Sequence, residues 1–389
     1  MLEWQPAPPT EGHITICGHM PSFEQNIQIN KMRSTHRVIY LSRKFRLGIV
    51  GCGWWGTSCH LPVYRKIPQI ELVAACDASS DILEMVSRTF AVKTTYTDYN
   101  EMLDREDLDI VSIVTPSHTH ADLAVAAARH GCNIFVEKPL APTIDEADRM
   151  IAAAEQNNVK LAVDENWRWL PEFIRAKQCI DDGMIGQVYL IQLEEFVWWT
   201  MPEKYKKQVR FLMQEQTVHF IDLVRWLSNS NAKSVYACTR NVSSLEISGE
   251  SLAVLTVQFQ NGALGIVTDS FAAKGRQYSM KGRIEGTRGS ILLNWDMPLE
   301  VYSEMMDGFV VPSVKGQYPR IRTQPLSKDF EWPLDNLINA TGSALISLIN
   351  SIENGGDPPT SGKDNRRDIE IMLAAYTSAE KGDVVTLQR

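Results

Sequence analysis

The chain of 389 residues has no C-x-x-C pair, and its seven cysteines (Cys17, Cys52, Cys59, Cys76, Cys132, Cys179 and Cys238) are scattered and odd in number. That pattern excludes a disulfide framework and a zinc-ligand motif, and it predicts reduced thiols in a cytoplasmic protein without a metal. No stretch approaches the roughly 18 consecutive apolar residues of a transmembrane helix, so no membrane span is expected. Met1 to Pro9 carries Pro6, Pro8 and Pro9 and lacks a basic start followed by an apolar run, so no secretory signal is expected. The charge balance is 39 − 47 = −8, so no basic excess points to nucleic acid or to an anionic membrane as partner. Internal repeats and low-complexity tracts are missing as well.

What is present is an ordinary globular composition, 44% apolar and 22% charged. At about 150 residues per domain the length suggests two domains with some chain to spare. Residues 1–44, broken by Pro6, Pro8, Pro9 and Pro21, show no sustained apolar period and read as a poorly ordered extension. From Phe45 short apolar runs alternate with helical stretches. Arg46 to Val50, Ile70 to Cys76, Leu108 to Val114, Asn133 to Glu137 and Leu161 to Val163 read as strands. Asp98 with Glu101, and Thr143 with Glu146, mark helix starts of the capping-box kind. This alternation predicts a doubly wound parallel sheet, a Rossmann domain, over 45–165. Residues 166–389 read as an α+β domain with a large, open, mainly antiparallel sheet. Asn261-Gly262 is its strongest hairpin signal, and helices near 335–353 and 365–380 close the chain.

Gly51-Cys52-Gly53-Trp54-Trp55-Gly56 is a G-x-G-x-x-G loop between a buried strand and a helix. The first glycine permits a tight turn, the second lets a pyrophosphate approach the backbone, and the third lets helix and strand pack closely. Free N–H groups at the helix start suit phosphate, and Trp54 and Trp55 lie in the same loop. Asp77, 24 residues after Gly53, ends the second strand, where a carboxylate accepts hydrogen bonds from ribose hydroxyls. Ala78 to Asp81 offers no cation for a 2′-phosphate, which favours NAD over NADP as cofactor. Ligands of such sheets lie at the carboxyl ends of the strands. Three segments fall there: Thr115 and Pro116 with His118 and His120; Glu137-Lys138-Pro139; and Glu165-Asn166-Trp167-Arg168.

In the second domain Glu215, His219 and Asp222 stand at i, i+4 and i+7, within about 60° on one helix face. A solvated face and a histidine tuned as acid/base by carboxylates both fit that spacing.

The chain resembles the Gfo/Idh/MocA oxidoreductases, the family of glucose–fructose oxidoreductase and inositol dehydrogenase, over about residues 45–389. The resemblance rests on the glycine loop, Thr115-Pro116 with His120, Glu137-Lys138-Pro139, His219-Phe220-Ile221-Asp222, and the closing stretch Thr360 to Glu380. It implies NAD-dependent oxidation of a secondary hydroxyl on a sugar, cyclitol or related polyol. It also implies Lys138 beside nicotinamide and substrate, Glu137 near the nicotinamide ribose, and His219 facing the reacting hydroxyl. Lys138, His219 and Glu215 are therefore the catalytic candidates, with the acid/base role open between Lys138 and His219, and Glu215 or Asp222 expected to orient His219. Asn166 and Arg168 are expected at the cofactor, and Asp222 at the substrate. Phe196, Trp198, Trp199 and Tyr205 are candidates for a sugar-stacking wall or for packing. Many members carry Asp where this chain has Glu215, and Arg210-Phe211 replaces a frequent Gly-Gly. The resemblance implies a homo-oligomer, dimer or tetramer, built through the C-terminal sheet. Two rival readings are a redox-neutral NAD-dependent glycosidase and a nucleotide-sensing regulator without catalysis.

Overall fold

The computed structural model describes residues 44–199, 203–242, 246–274, 278–294, 297–303, 305–306, 309–310, 320–322 and 334–387. Residues 1–43, which hold nearly all of the expected extension, lie outside the described residues.

The first sheet is built from β1 (Phe45–Val50), β2 (Ile70–Cys76), β3 (Thr94–Tyr96), β4 (Ile110–Ile113), β5 (Asn133–Val136) and β6 (Leu161–Val163). Their order is β3-β2-β1-β4-β5-β6, and every pairing is parallel. Strand order therefore reverses between β1 and β4, the place where doubly wound sheets open a ligand crevice. The crossovers are α1 (Leu61–Tyr64), α2 (Ser80–Phe90), α3 (Tyr99–Arg105), α4 (His120–Arg129) and α5 (Ile144–Gln156). Both expected caps form: Asp98 accepts from the Glu101 N–H at 3.0 Å and Thr143 from the Glu146 N–H at 3.3 Å. Each satisfies an N–H that the helix itself cannot.

The rest of the chain supplies α6 (Pro171–Asp181), β7 (Val188–Val197), α7 (Val218–Ser228), β8 (Ala232–Arg240), β9 (Leu252–Phe259), β10 (Leu264–Ser270), β11 (Tyr278–Gly286), β12 (Gly289–Asn294) and β13 (Met297–Ser303). There follow β14 (Met305–Met306), β15 (Phe309–Val310), β16 (Arg320–Arg322), α8 (Leu334–Asn354), α9 (Gly362–Lys381) and β17 (Val385–Thr386). A nine-stranded sheet runs β16-β13-β12-β11-β7-β10-β9-β8-β17, and β14 pairs with β15 alone. It is antiparallel except where β7 lies parallel to β10. The Asn261-Gly262 turn joins β9 to β10, with Gly262 at φ +89°.

One C-terminal helix packs back onto the parallel sheet. Ile338, Ala344, Leu345, Leu348 and Ile349 of α8 share one buried cluster with Leu47 and Ile49 of β1. The parallel sheet has no crossover helix after β6, and the apolar stripe of α8 fills that place.

Candidate active site

Five strand ends bring the candidate residues to one edge. Gly51 follows β1, Asp77 follows β2, Thr115 lies just beyond β4, Glu137 and Lys138 follow β5, and Glu165 lies two residues past β6. Gly51 has φ +90°, and a Cβ there would stand 2.4 Å from the Val114 carbonyl oxygen, so only glycine fits this turn. A Cβ on Gly53 would meet nothing within 4 Å. That open backbone is the cradle a pyrophosphate needs, and the residues present fit a dinucleotide. Asp77 accepts from the Cys52 N–H at 2.8 Å and the Ser79 N–H at 2.9 Å, tying the loop to the end of β2. Those two bonds leave further carboxylate lone pairs for a ribose. Trp54 is 68% exposed beside the loop, while the Trp55 indole N–H donates to Glu137 at 2.7 Å.

Lys138 donates from Nζ to the Glu215 backbone carbonyl at 2.5 Å, and its ammonium lies 3.8 Å from the Glu215 carboxylate. Glu215 accepts in turn from Gln208 at 3.3 Å. Lys138 and Glu215 therefore meet across the two domains, and Glu215 serves Lys138 rather than His219. The partner of His219 is Glu165, whose Oε2 is 2.7 Å from Nδ1. The imidazole also stacks on Trp167, with centroids 4.8 Å apart and planes 3° from parallel. Burial first, then the Lys138 charge, pulls His219 down to about 3. Burial pushes the Glu165 carboxyl well above its usual range, against the charges of Lys138 and Arg168. His219 therefore rests neutral, held by a carboxyl on one nitrogen.

Four expectations are corrected by this geometry. Asp222, expected to orient His219 or meet substrate, is buried and pairs with Arg168 through both oxygens, Nε to Oδ2 at 2.7 Å. Arg168, expected at the cofactor, spends its remaining donors on Asp364 at 2.6 Å and the Pro359 carbonyl at 3.0 Å. Glu215 is displaced for a separate, local reason: Met213–Thr217 is a π-helical turn ahead of α7, so α-helical spacing misplaces Glu215 against His219. His120 is fully buried, with Nδ1 3.0 Å from the Pro139 carbonyl and Nε2 2.9 Å from that of Thr115. It clamps two loops together and has no nitrogen left for a cofactor. Asn166 is buried and donates to Thr341 of α8 at 3.0 Å.

His118 and Pro116 are exposed, and Thr115 bonds the Thr119 hydroxyl at 2.6 Å. Trp199 and Tyr205 pack with Phe211 and Phe271 as an aromatic cluster, whereas Trp198 lies under the Lys274 ammonium at 5.3 Å. Sequence reasoning missed His60 and the roles of Glu165 and Trp167. Glu165 lies 54 residues from His219, and no spacing rule links them. Among the described residues six cysteines are free, and burial pushes the Cys52 thiol up to about 12, which makes it inert. Asp222, Asp364 and Asp368 cluster, but Arg168 and Arg225 occupy the space a cation would need. No helix among the described residues is long and apolar enough to cross a membrane.

The glycine loop and Lys138 stand on one edge of the parallel sheet, and the chain is an NAD(P)-dependent oxidoreductase. It belongs to the Gfo/Idh/MocA family: residues 45–165 match the oxidoreductase family's NAD-binding Rossmann fold, and 177–387 its C-terminal alpha/beta domain. It is 28% identical to D-apiose dehydrogenase of Paraburkholderia graminis, over 89% of this chain and 90% of the relative. It is 25% identical to myo-inositol 2-dehydrogenase of Thermotoga maritima, over 88% and 98%. Among solved structures, an Agrobacterium radiobacter oxidoreductase in complex with NAD+, L-tartaric acid and magnesium superposes with a TM-score of 0.79 at 24% identity, covering 88% of this chain and 98% of that one.

Proposed function

We propose that the protein oxidises a secondary hydroxyl of a sugar, cyclitol or related polyol, using NAD in preference to NADP. The observation that carries this reading is the bond from Lys138, at the end of β5, to the Glu215 carbonyl, four residues before His219, on the same sheet edge as the glycine loop. The chemistry a bound nicotinamide supplies is acceptance of a hydride from the carbinol carbon. His219 is the base for the hydroxyl proton in the tautomer whose Nδ1–H donates to Glu165 Oε2, which leaves Nε2 as the acceptor for the substrate. Lys138 hydrogen-bonds the same oxygen and stabilises charge on it as the proton leaves, while Glu215 holds the ammonium in place. Asp77, a carboxylate without a neighbouring cation over Ala78 to Asp81, disfavours a 2′-phosphate by charge. The apiose and inositol dehydrogenases among the relatives support a polyol substrate.

The test is a near-ultraviolet screen for NADH formation across sugars, inositols and their phosphates. Lys138→Met and His219→Ala should each abolish the best activity and leave NAD binding intact. Full turnover by His219→Ala would remove it as the base, and a preference for NADP would sink the Asp77 argument. NAD binding with no turnover on the whole panel would favour a sensor instead. The reading extends to a cytoplasmic enzyme that assembles as a homo-oligomer through the face of the nine-stranded sheet carrying Tyr236, Val254 and Leu264, all exposed.

A further inference from the structure

Glu137 gathers more buried partners than its place beside Lys138 explains. Its Oε1 meets the Trp55 indole N–H and His60 Nε2, each at 2.7 Å, and its Oε2 accepts from the Lys138 N–H at 3.1 Å. Behind His60 the bonds continue: Nδ1 is 2.6 Å from the Tyr64 hydroxyl, which is 2.7 Å from Ser112 Oγ on β4. His60 and Ser112 are fully buried, and Tyr64 is 1% exposed. Asp164 closes the other side, with Oδ2 3.6 Å from His60 Nε2 and bonded to the Thr341 hydroxyl at 2.9 Å.

A buried file of polar groups is costly unless every member is satisfied, so its retention calls for a role. It ends at Ser112, inside the protein, so it offers no proton path to water. What it does fix is orientation. Each ring nitrogen of His60 is committed, which sets the imidazole, and the imidazole with Trp55 sets the Glu137 carboxylate. Burial works to raise Glu137, but the bond and charge of His60 and the Lys138 charge win and hold it at about 2. Glu137 is therefore an ionised, immobile acceptor. Its Oε2 keeps lone-pair capacity beyond the Lys138 amide.

We propose that His60, backed by Tyr64 and Ser112, is a positioning residue for the nicotinamide half of the cofactor, locking Glu137 so that Oε2 can accept from a nicotinamide-ribose hydroxyl. This rests on the proposed function and on Glu137 lying near that ribose, as the family resemblance implies. His60 and Tyr64 touch neither cofactor nor substrate in this arrangement; they act through Glu137.

Calorimetric titration of the full-length protein with NAD, and separately with adenosine diphosphate, tests the proposal without any substrate. Adenosine diphosphate lacks the nicotinamide ribose, so a positioning defect leaves it alone while general damage to the domain does not. His60→Leu should weaken NAD about tenfold or more, the effect of losing one hydrogen bond to a charged group, with adenosine diphosphate within about twofold of wild type. His60→Gln, whose amide can donate to Glu137 from the place of Nε2, should recover most of that loss. If His60→Leu does not fold, Tyr64→Phe keeps the ring and should weaken NAD about threefold, again sparing adenosine diphosphate. Unchanged NAD binding in folded His60→Leu or Tyr64→Phe would overturn the proposal, as would equal losses for both ligands or a His60→Gln no better than His60→Leu. Glu137→Ala separates the two layers. NAD weakened by Glu137→Ala but not by His60→Leu removes only the role of His60, whereas no effect of Glu137→Ala removes the ribose placement and the proposal with it.

Discussion

At the scale of single residues, the arrangement turns on which carboxyl serves which base. Glu165 Oε2 lies 2.7 Å from Nδ1 of His219, and the Trp167 ring holds the imidazole plane. Glu165→Gln keeps the volume but can present an amide N–H to Nδ1, which would put the ring proton on the substrate-facing nitrogen. In the polyol assay kcat should fall by about 100-fold or more while KM for the alcohol changes little, the signature of a lost base rather than lost binding. A loss confined to KM would contradict the assignment. His219 and Lys138 could be singled out as candidates in the sequence because each sits in a short motif with recognisable neighbours. Glu165 was not, because its partner lies in the other domain and only folding makes them adjacent. Asp222 was misread for the complementary reason: a carboxylate three residues past a histidine looks like its orienter until Arg168 claims both oxygens.

At the scale of elements, α7 and α9 are joined by a buried ladder in which Arg168 and Arg225 face Asp222, Asp364 and Asp368. The strands of the parallel sheet, the capped helices and the Asn261-Gly262 hairpin followed from alternation, caps and a glycine turn. The π turn Met213–Thr217 did not, since a shifted hydrogen-bond offset leaves no mark on residue spacing. The ladder makes a pH-dependent prediction. Burial works to raise Asp364, but the Arg225 hydrogen bond and both arginine charges outweigh it and hold the carboxyl at about 2, below its ordinary 3.8. A depressed carboxylate stabilises the fold above its ordinary value and loses that contribution as pH falls toward its folded one. Asp364→Asn should therefore lower the unfolding free energy by roughly 1–3 kcal/mol near neutral pH. By urea titration the gap from wild type should narrow between about pH 4 and pH 2. A gap that stayed constant down to the acid end would show that the charge of Asp364 contributes nothing.

At the scale of the molecule, one face of the nine-stranded sheet carries Tyr236, Val254 and Leu264, each about two-fifths exposed, beside a 380 Å³ depression lined by Gln192, Glu194, Lys281, Arg283 and Glu300. Apolar side chains mixed with both signs of charge suit a two-fold, self-complementary contact. Light scattering of the purified protein should give a dimer or tetramer, and Val254→Asp with Leu264→Asp should reduce it to a monomer with its thermal transition otherwise retained. A monomeric wild type would end that reading.

The packing of α8 on β1 has a consequence for how the protein is made. Ribosomes release the nucleotide-binding segment first, yet Ile338 to Ile349, which finish its core, emerge near the end of synthesis. Until a helix encoded almost 300 residues downstream is made, the flank of the sheet that it covers is bare. A fragment of residues 44–170 made alone should be aggregation-prone and bind NAD weakly, and supplying residues 334–387 in trans should restore solubility. A fragment that proved soluble and tightly NAD-binding without that addition would mean the first domain matures independently.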